Sequence, residues 1–249
     1  MATFTSFAIV GAGIIGARIA DILLSKGLQV TILTRDDSKA VLQAFRKRGA
    51  ILAKVDYDDE NSLKAAFAGV QVVSFSKLAS FAPQRRQAFS CSFLARYLDF
   101  NYAEGNMRIV GSGEAKFSMT SIPDASRFAG HVLATAAMSD LKWATIPFEG
   151  NRLSPLEIAA LAEKKLGKVI QLEFVDYAEN KKNYGTVHKS MYTTLIADGR
   201  AVVGAEEDVQ AAISKFYPDW NPTPYESFID YSTPENLLDR VESVTQGQR

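Results

Sequence analysis

The chain has 249 residues, of which 47% are hydrophobic and 22% are charged, a composition typical of a folded globular protein. Its 28 basic and 28 acidic residues give a formal net charge of zero, so no overall field attracts nucleic acid or an anionic membrane. Cys91 is the only cysteine, which excludes an intramolecular disulfide and fits a reducing compartment. Residues 1–5 lack the features of a signal peptide, and no apolar run approaches the roughly 20 residues of a membrane span. We therefore expect a cytoplasmic protein, a monomer or homodimer, that binds neither nucleic acid nor membrane.

The first element joins a short apolar strand to a glycine-rich turn. Residues 7–10 form the kind of apolar run that a strand buried on both faces requires. Gly11, Gly13 and Gly16 follow in G-x-G-x-x-G spacing and open a segment with helical periodicity. In this motif the first glycine permits a tight turn, the second lets the backbone approach a pyrophosphate, and the third lets the helix pack on the strand. Because a helix N-terminus favours phosphate, the stretch from Gly11 to Gly16, with Ala12, Ile14 and Ile15 between the glycines, predicts a dinucleotide site.

Strands and helices continue to alternate through the first third of the chain. The pattern predicts strands at 29–33, 50–55 and 70–75, and helices at 37–48 and 61–67. The N-cap of the helix at 37–48 is predicted to be Asp37 or Ser38. Such alternation with tight turns predicts an α/β fold, a Rossmann-like doubly wound parallel sheet. Its ligand crevice lies at the carboxyl ends of the strands.

The rest of the chain is less regular. Ser154 and Glu157 form a capping box with proline at the first helical position, so a helix to residue 166 is predicted. Residues 107–110 and 115–120 flank Gly-Ser-Gly and are predicted to form a hairpin. The remaining predictions are helices at 83–98, 123–138, 188–196 and 206–216 and after 234, strands at 143–148 and 169–175, and a turn at 218–224. We expect a dinucleotide-binding domain at 1–106 and a smaller C-terminal substrate lobe at 107–249.

Several short segments together resemble a known family. They are the glycine turn and residues 33–35, 55–57, 61–63, 69–74, 97–100, 109–113, 122–133 and 153–157. These segments resemble the NmrA-like, isoflavone-reductase-like branch of the atypical short-chain dehydrogenase/reductases. The resemblance implies an NADP(H)-binding reductase of a small apolar or aromatic molecule. It also leaves open a non-catalytic NAD(P) sensor that regulates a partner protein.

One region departs from the family pattern. Members normally have further βα structure after the fourth strand, and the active-site lysine of the enzymatic members lies in that region. Here Gln84 or Gln87 is followed almost directly by a segment that resembles a much later part of the family, at residues 93–99. We infer a deletion near residues 87–92. No catalytic residue is therefore carried over to this chain.

Side chains at the strand ends supply the remaining cofactor residues. Thr34 occupies the place where NAD-binding folds carry an acid, and Arg35 follows it, as in family members that prefer NADP(H). Arg35 either binds the 2′-phosphate or is a solvated surface arginine, and Asp36 and Asp37 either hold it or repel the phosphate. Asp56 lies beside the adenine or is a plain turn aspartate. The backbone of three residues is predicted to line the groove after the fourth strand: Ser74, Phe75 and Ser76.

Other motifs are weaker evidence for a functional site. Tyr177 and Lys181 match the Tyr-x-x-x-Lys of classical short-chain dehydrogenases, but they lie beyond the nucleotide-binding half, and nine tyrosines make a chance match unsurprising. His131 is expected to be structural, whereas His188 either faces a substrate or has no role in a site. One cysteine and two isolated histidines give no metal-ligand spacing, so no metal site is predicted. The aromatic residues of 89–102 either line an apolar pocket or pack helices.

Overall fold

The structure, a computed structural model, describes residues 3–74 and 98–229. The chain divides into two compact units, each assembled from separate segments. The first contains Met1–Pro83, Pro123–Ile146 and Ala212–Trp220, and the second contains Gln84–Ile122, Pro147–Ala211 and Asn221–Arg249. The predicted boundary between residues 106 and 107 separates a cofactor-binding part from a substrate lobe, and this division by function stays a prediction.

A parallel sheet forms the centre of the first unit, as the sequence predicts. Its strands are β1 (Ser6–Val10), β2 (Gln29–Thr34), β3 (Ile51–Lys54) and β4 (Val72–Ser74). The helices between them are α1 (Ile14–Ser25), α2 (Ala40–Lys47) and α3 (Glu60–Ala66). The strands lie in the order β3-β2-β1-β4, and each neighbouring pair is parallel. The chain thus crosses over by a helix between successive strands, as parallel pairing requires.

The two central strands of this sheet, β1 and β2, are buried on both faces along most of their length, which explains why they are mostly apolar. On one face Phe7 and Ile9 of β1 pack against α1 and α2. On the other face Ala8 and Leu33 pack with Leu63 of α3. Each fully buried large side chain contributes about 1.5–3 kcal/mol of stability. The faces are therefore covered by different helices, which is the doubly wound arrangement.

The second half of the chain continues through further strands and helices. The strands are β5 (Phe100–Asn101), β6 (Asn106–Val110), β7 (Phe117–Met119), β8 (Asn151–Leu153) and β9 (Gln171–Val175). The helices are α4 (Ile122–Thr135), α5 (Met138–Leu141), α6 (Pro155–Leu166), α7 (Tyr177–Lys181), α8 (His188–Ala197) and α9 (Glu206–Phe216), followed by a 3₁₀ turn at Tyr225–Phe228. In the second unit, Met107, Phe117 and Ile158 are fully buried in one apolar cluster.

Local signals located the helices of this half well. Ser154 Oγ accepts from the Glu157 N–H at 3.1 Å, and the Glu157 carboxylate accepts from the Ser154 N–H at 2.8 Å, so the capping box is confirmed. The helices predicted at 188–196 and 206–216 correspond to α8 and α9. The helices predicted at 83–98 and after 234 lie, apart from residue 98, outside the described residues.

The predicted hairpin around Gly111 and Gly113 is wrong. β6 pairs in parallel with β9 along five residues and antiparallel with β5, whereas β7 pairs with β8. The Gly111 N–H donates to the Val175 carbonyl at 2.9 Å, so the turn extends the β6–β9 ladder. The hairpin does not form because β9, whose Gln171 pairs with Asn106 of β6, offers β6 five paired residues, whereas β7 has only three residues.

Two other local predictions also need correction. The strand predicted at 143–148 does not form: Trp143 has a positive φ of 60° and is 92% exposed, so the aromatic residue neither extends a strand nor packs. The helix predicted at 37–48 begins at Ala40, and its N-cap residue is Lys39, with no side chain capping it. Asp37 and Ser38 do not cap α2, because the Asp37 carboxylate accepts from Arg46 in the last turn of α2 and the Ser38 hydroxyl donates to Asp36.

Candidate cofactor site

The glycine turn between β1 and α1 has the geometry that its sequence predicts. Gly11 has a φ of +79°, a conformation that favours glycine, and its N–H donates to the Leu33 carbonyl of β2 at 3.1 Å. At Gly16 an added Cβ would lie 2.3 Å from the Gly11 carbonyl oxygen and 3.2 Å from Ile9 Cγ2. The first glycine is therefore needed for the turn and the third for the close packing of α1 on β1.

Gly13 differs from its two neighbours in the motif. Its φ of −72° and ψ of −174° are accessible to any residue, and, its chain neighbours apart, no atom of residues 3–74 or 98–229 lies within 4 Å of the position of an added Cβ. The fold itself therefore does not require glycine at residue 13. The open space lies at the first turn of α1, which no side chain caps and which contains no acid. Backbone N–H groups at such a helix start bind phosphate, and the dipole favours the negative charge.

The apolar residues of the turn divide between core and surface. Ala12 and Ile15 pack partly against the core of the first unit. Ile14 is 40% exposed. The turn thus presents backbone and an apolar side chain rather than charged groups.

The loop after β2 folds back on itself. Thr34 Oγ1 donates to the Asp36 carbonyl at 2.9 Å and lies 3.2 Å from the Asp36 N–H, which donates to it. The Thr34 hydroxyl is thus committed to the turn. Arg35, between these two residues, is exposed, and no carboxylate in the described parts of the chain pairs with it.

Both acids that follow Arg35 have other partners. Asp36 Oδ1 accepts from the Ser38 hydroxyl at 2.6 Å and from the Ser38 N–H at 3.0 Å. The hydroxyl bond, followed by the backbone bond, lowers the pKa of the Asp36 carboxyl. Asp37 forms an ion pair of 3.4 Å with Arg46 of α2. The alternative in which these acids hold Arg35 is therefore not what the structure has.

The segment after β3 contains one predicted residue and one that the sequence analysis missed. Asp56 Oδ1 accepts from the Asp58 N–H at 3.0 Å, which is the bonding of a turn aspartate. The Tyr57 hydroxyl donates to the Leu33 carbonyl at 3.3 Å, so its ring spans the ends of β2 and β3. The same carbonyl accepts the Gly11 N–H. The available signal was an aromatic residue two positions beyond the strand predicted at residues 50–55.

The strand register brings the predicted residues to one edge. Val10 lies beside Leu33, Thr34 beside Lys54, and Ser74 beside Ile9. The turns after β1, β2 and β3 and the end of β4 therefore meet at the carboxyl edge of the sheet, where open α/β sheets bind ligands. Phe75 and Ser76 lie outside the described residues, so their role stays a prediction.

The other predicted motifs form contacts of their own. Lys181 Nζ lies 5.3 Å from the centre of the Tyr177 ring, and the Tyr177 hydroxyl donates to Asp198 at 3.4 Å; this pair belongs to the second unit. His131 stacks on Tyr217 with ring centres 3.7 Å apart. Burial, and then the charge of Lys26, lower the pKa of His131. Within residues 3–74 and 98–229, no group of three histidine, cysteine or acidic side chains is placed to hold a metal ion, and no helix is long and apolar enough to cross a membrane.

Comparison with known proteins identifies the family resemblance and the fold. The profile of the NmrA-like family matches residues 5–87, which confirms the resemblance inferred from the sequence motifs. The match ends where the inferred deletion begins. No curated protein matches the chain significantly by sequence.

Solved structures match over nearly the whole chain. A structure of isoflavone reductase has a TM-score of 0.70 at 17% identity, covering 92% of this chain and 99% of the other. A structure of AtPrR2 with NADP+ and (+)pinoresinol has a TM-score of 0.68 at 16% identity, covering 92% and 99%. The Citrobacter sp. triphenylmethane reductase complexed with NADP(H) has a TM-score of 0.62 at 16% identity, covering 90% and 98%. At these identities the matches establish the α/β Rossmann-like fold.

Proposed function

We propose that this protein, whose residues 5–87 match the NmrA-like family, binds NADP(H) at the carboxyl edge of its parallel sheet and is an NADP-dependent reductase of a small apolar or aromatic substrate. The observation that carries the proposal is the open glycine at residue 13. A glycine that its own fold does not need, at an uncapped helix start, leaves backbone accessible where a pyrophosphate binds.

The loop after β2 supports NADP(H) over NAD(H). An acid at the end of β2 normally binds the ribose hydroxyls of NAD, but here Thr34 uses its hydroxyl within the turn. Arg35 is exposed beside it and pairs with no described carboxylate. Its guanidinium offers paired charge-assisted hydrogen bonds to a 2′-phosphate. The names of the structural neighbours, which include NADP(H)-bound reductases, agree with this choice.

Each part of the edge then has a distinct role. The N–H groups of the turn between Gly11 and Gly16 hold the pyrophosphate, and Arg35 holds the ribose phosphate. Asp56, whose carboxylate bonds within its own turn, lies on the adenine side, and the backbone of Ser74 lines the groove at the end of β4. The bound cofactor supplies a hydride from its dihydronicotinamide ring, and the protein supplies orientation. Ile14 and Tyr57 give the edge apolar surface next to these polar groups.

A pair of glycine variants tests the binding site. Gly13→Val places a branched side chain where the pyrophosphate approaches and is expected to abolish NADPH binding without unfolding the protein. Gly185→Val is the matched control, because at that residue too, its chain neighbours apart, no atom of the described residues lies within 4 Å of an added Cβ, and it lies outside the glycine turn. NADPH titration by fluorescence and thermal melting are measured on both. Equal NADPH affinity in Gly13→Val and the wild type would reject the site.

Turnover distinguishes the reductase from the alternative, a non-catalytic NAD(P)-sensing regulator of a partner protein. NADPH oxidation is followed by the loss of absorbance of the reduced nicotinamide ring, with aldehydes, ketones and phenylpropanoids as trial substrates. Saturable oxidation in the wild type that disappears in Gly13→Val supports the reductase. Tight NADPH binding with no oxidation across the panel supports the sensor.

A further inference from the structure

Three charged residues follow β2 in direct succession, and their neighbours decide which of these charges are available. Arg35 is followed by two carboxylates, Asp36 and Asp37. An exposed arginine beside two free acids would pair with one of them and lose part of its attraction for phosphate. The structure instead gives each acid a different partner.

Asp37 is held by α2. Its carboxylate pairs with Arg46 at 3.4 Å, and its carbonyl accepts from the Gln43 side chain at 2.6 Å. Gln43 and Arg46 are three residues apart and therefore lie on one face of the helix. Both the backbone and the side chain of Asp37 are thus fixed by residues that stand one turn apart in α2.

Asp36 is held within its own turn. Its Oδ1 atom accepts two hydrogen bonds from Ser38, and Lys39 and Lys54 lie close enough to favour its negative charge. The carboxylate is ionised at neutral pH but is engaged away from Arg35. Ser38 therefore binds the Asp36 carboxylate, just as Arg46 binds the Asp37 carboxylate.

We propose that Arg46 is a specificity-determining residue of the cofactor site: by pairing with Asp37 it keeps this carboxylate away from Arg35, and so favours an adenine ribose that carries a 2′-phosphate. The inference rests on the proposed function. Arg46 does not need to contact the cofactor for this effect. Its side chain is 50% exposed and that of Asp37 is 33% exposed, so the pair is a surface pair of modest strength.

The test is a set of charge variants titrated with NADPH and NADH at low ionic strength. Arg46→Gln frees Asp37 and is expected to weaken NADPH binding about two- to fivefold, the scale of an exposed ion pair, while NADH affinity stays the same. Adding Asp37→Asn to Arg46→Gln is expected to restore NADPH affinity. Arg48→Gln is the matched control, since Arg48 forms a surface pair with Asp21 in the same unit, and it is expected to change neither affinity.

Each outcome has a distinct meaning. Weak NADPH binding that persists in the double variant would overturn the inference, because Arg46 would then contact the phosphate itself. Parallel losses of NADPH and NADH affinity with a lower melting temperature would also overturn it, in favour of a structural role. Failure of the wild type to bind NADPH would reject the proposed function together with the inference. Recovery of NADPH affinity on adding Asp37→Asn supports the inference. Because salt screens exposed charges, the affinity difference between Arg46→Gln and the double variant is expected to decrease at high salt.

Discussion

Gly16→Ala is the sharpest test of how α1 is packed on β1. The added Cβ would lie 2.3 Å from the Gly11 carbonyl oxygen. This distance is 1.1 Å shorter than the 3.4 Å at which ordinary van der Waals contact begins. The obstructing atom is backbone in a turn whose N–H is already bonded to the Leu33 carbonyl, so it cannot swing aside as a side chain would. A second contact, 3.2 Å to Ile9 Cγ2, adds crowding from a fully buried residue.

The expected magnitude follows from two opposing effects. Alanine is the better helix former by about 1 kcal/mol. Overpacking of a tight site costs about 1–3 kcal/mol, and a backbone clash this short belongs at the upper end or beyond. We expect a net loss of about 2 kcal/mol in the free energy of unfolding, which lowers the melting temperature by about 4–8 °C for a chain of this size.

Urea unfolding of the cofactor-free protein, followed by circular dichroism, measures the effect. Gly13→Ala is the matched control, because residue 13 has an ordinary φ and open space around an added Cβ. It is expected to destabilise the protein by less than about 1 kcal/mol, because Gly13 is the N-cap residue of α1, where glycine is preferred over alanine. If Gly16→Ala were as stable as Gly13→Ala, the explanation of the third glycine by close packing would be refuted.

Two further predictions concern single charged side chains. Arg35→Ala is expected to weaken NADPH binding about tenfold and leave NADH nearly unchanged, because charge-assisted bonds to a phosphate contribute about 1.5–3 kcal/mol and the loop keeps other cations nearby; titration of both cofactors checks this, and equal losses would reject Arg35 as the phosphate-binding residue. For Glu157, burial raises the pKa, but the Ser154 N–H and Lys116 outweigh it and hold the pKa below the ordinary value of 4.5. The capping box therefore stabilises the fold above about pH 4.5 and loses this contribution as the pH falls through the folded pKa. Glu157→Gln is expected to remove that part of the pH dependence of unfolding, and an unchanged profile would contradict the assignment.

The sequence by itself determined those features whose physical causes lie within one turn of the chain. The capping box at Ser154 and Glu157 joins groups three residues apart, so the local sequence alone predicts where α6 begins. The glycine spacing at residues 11–16 and the apolar runs at β1 and β2 likewise predicted a parallel sheet with its binding edge. These signals are reliable because backbone geometry and burial on both faces restrict which residues fit.

Only the tertiary structure decided what depends on distant partners. β6 pairs with β9 rather than with its neighbour in sequence, β7, because a strand can pair with any segment that the fold brings beside it, however distant in the chain. The sequence could place Arg35, Asp36 and Asp37 in order, but not assign Asp37 to Arg46, since α2 must first pack beside the loop to present that side chain. Tyr57 reaches the Leu33 carbonyl only because β2 and β3 lie side by side. Side-chain partners across a sheet edge are set by register and packing, and neither is encoded in local periodicity.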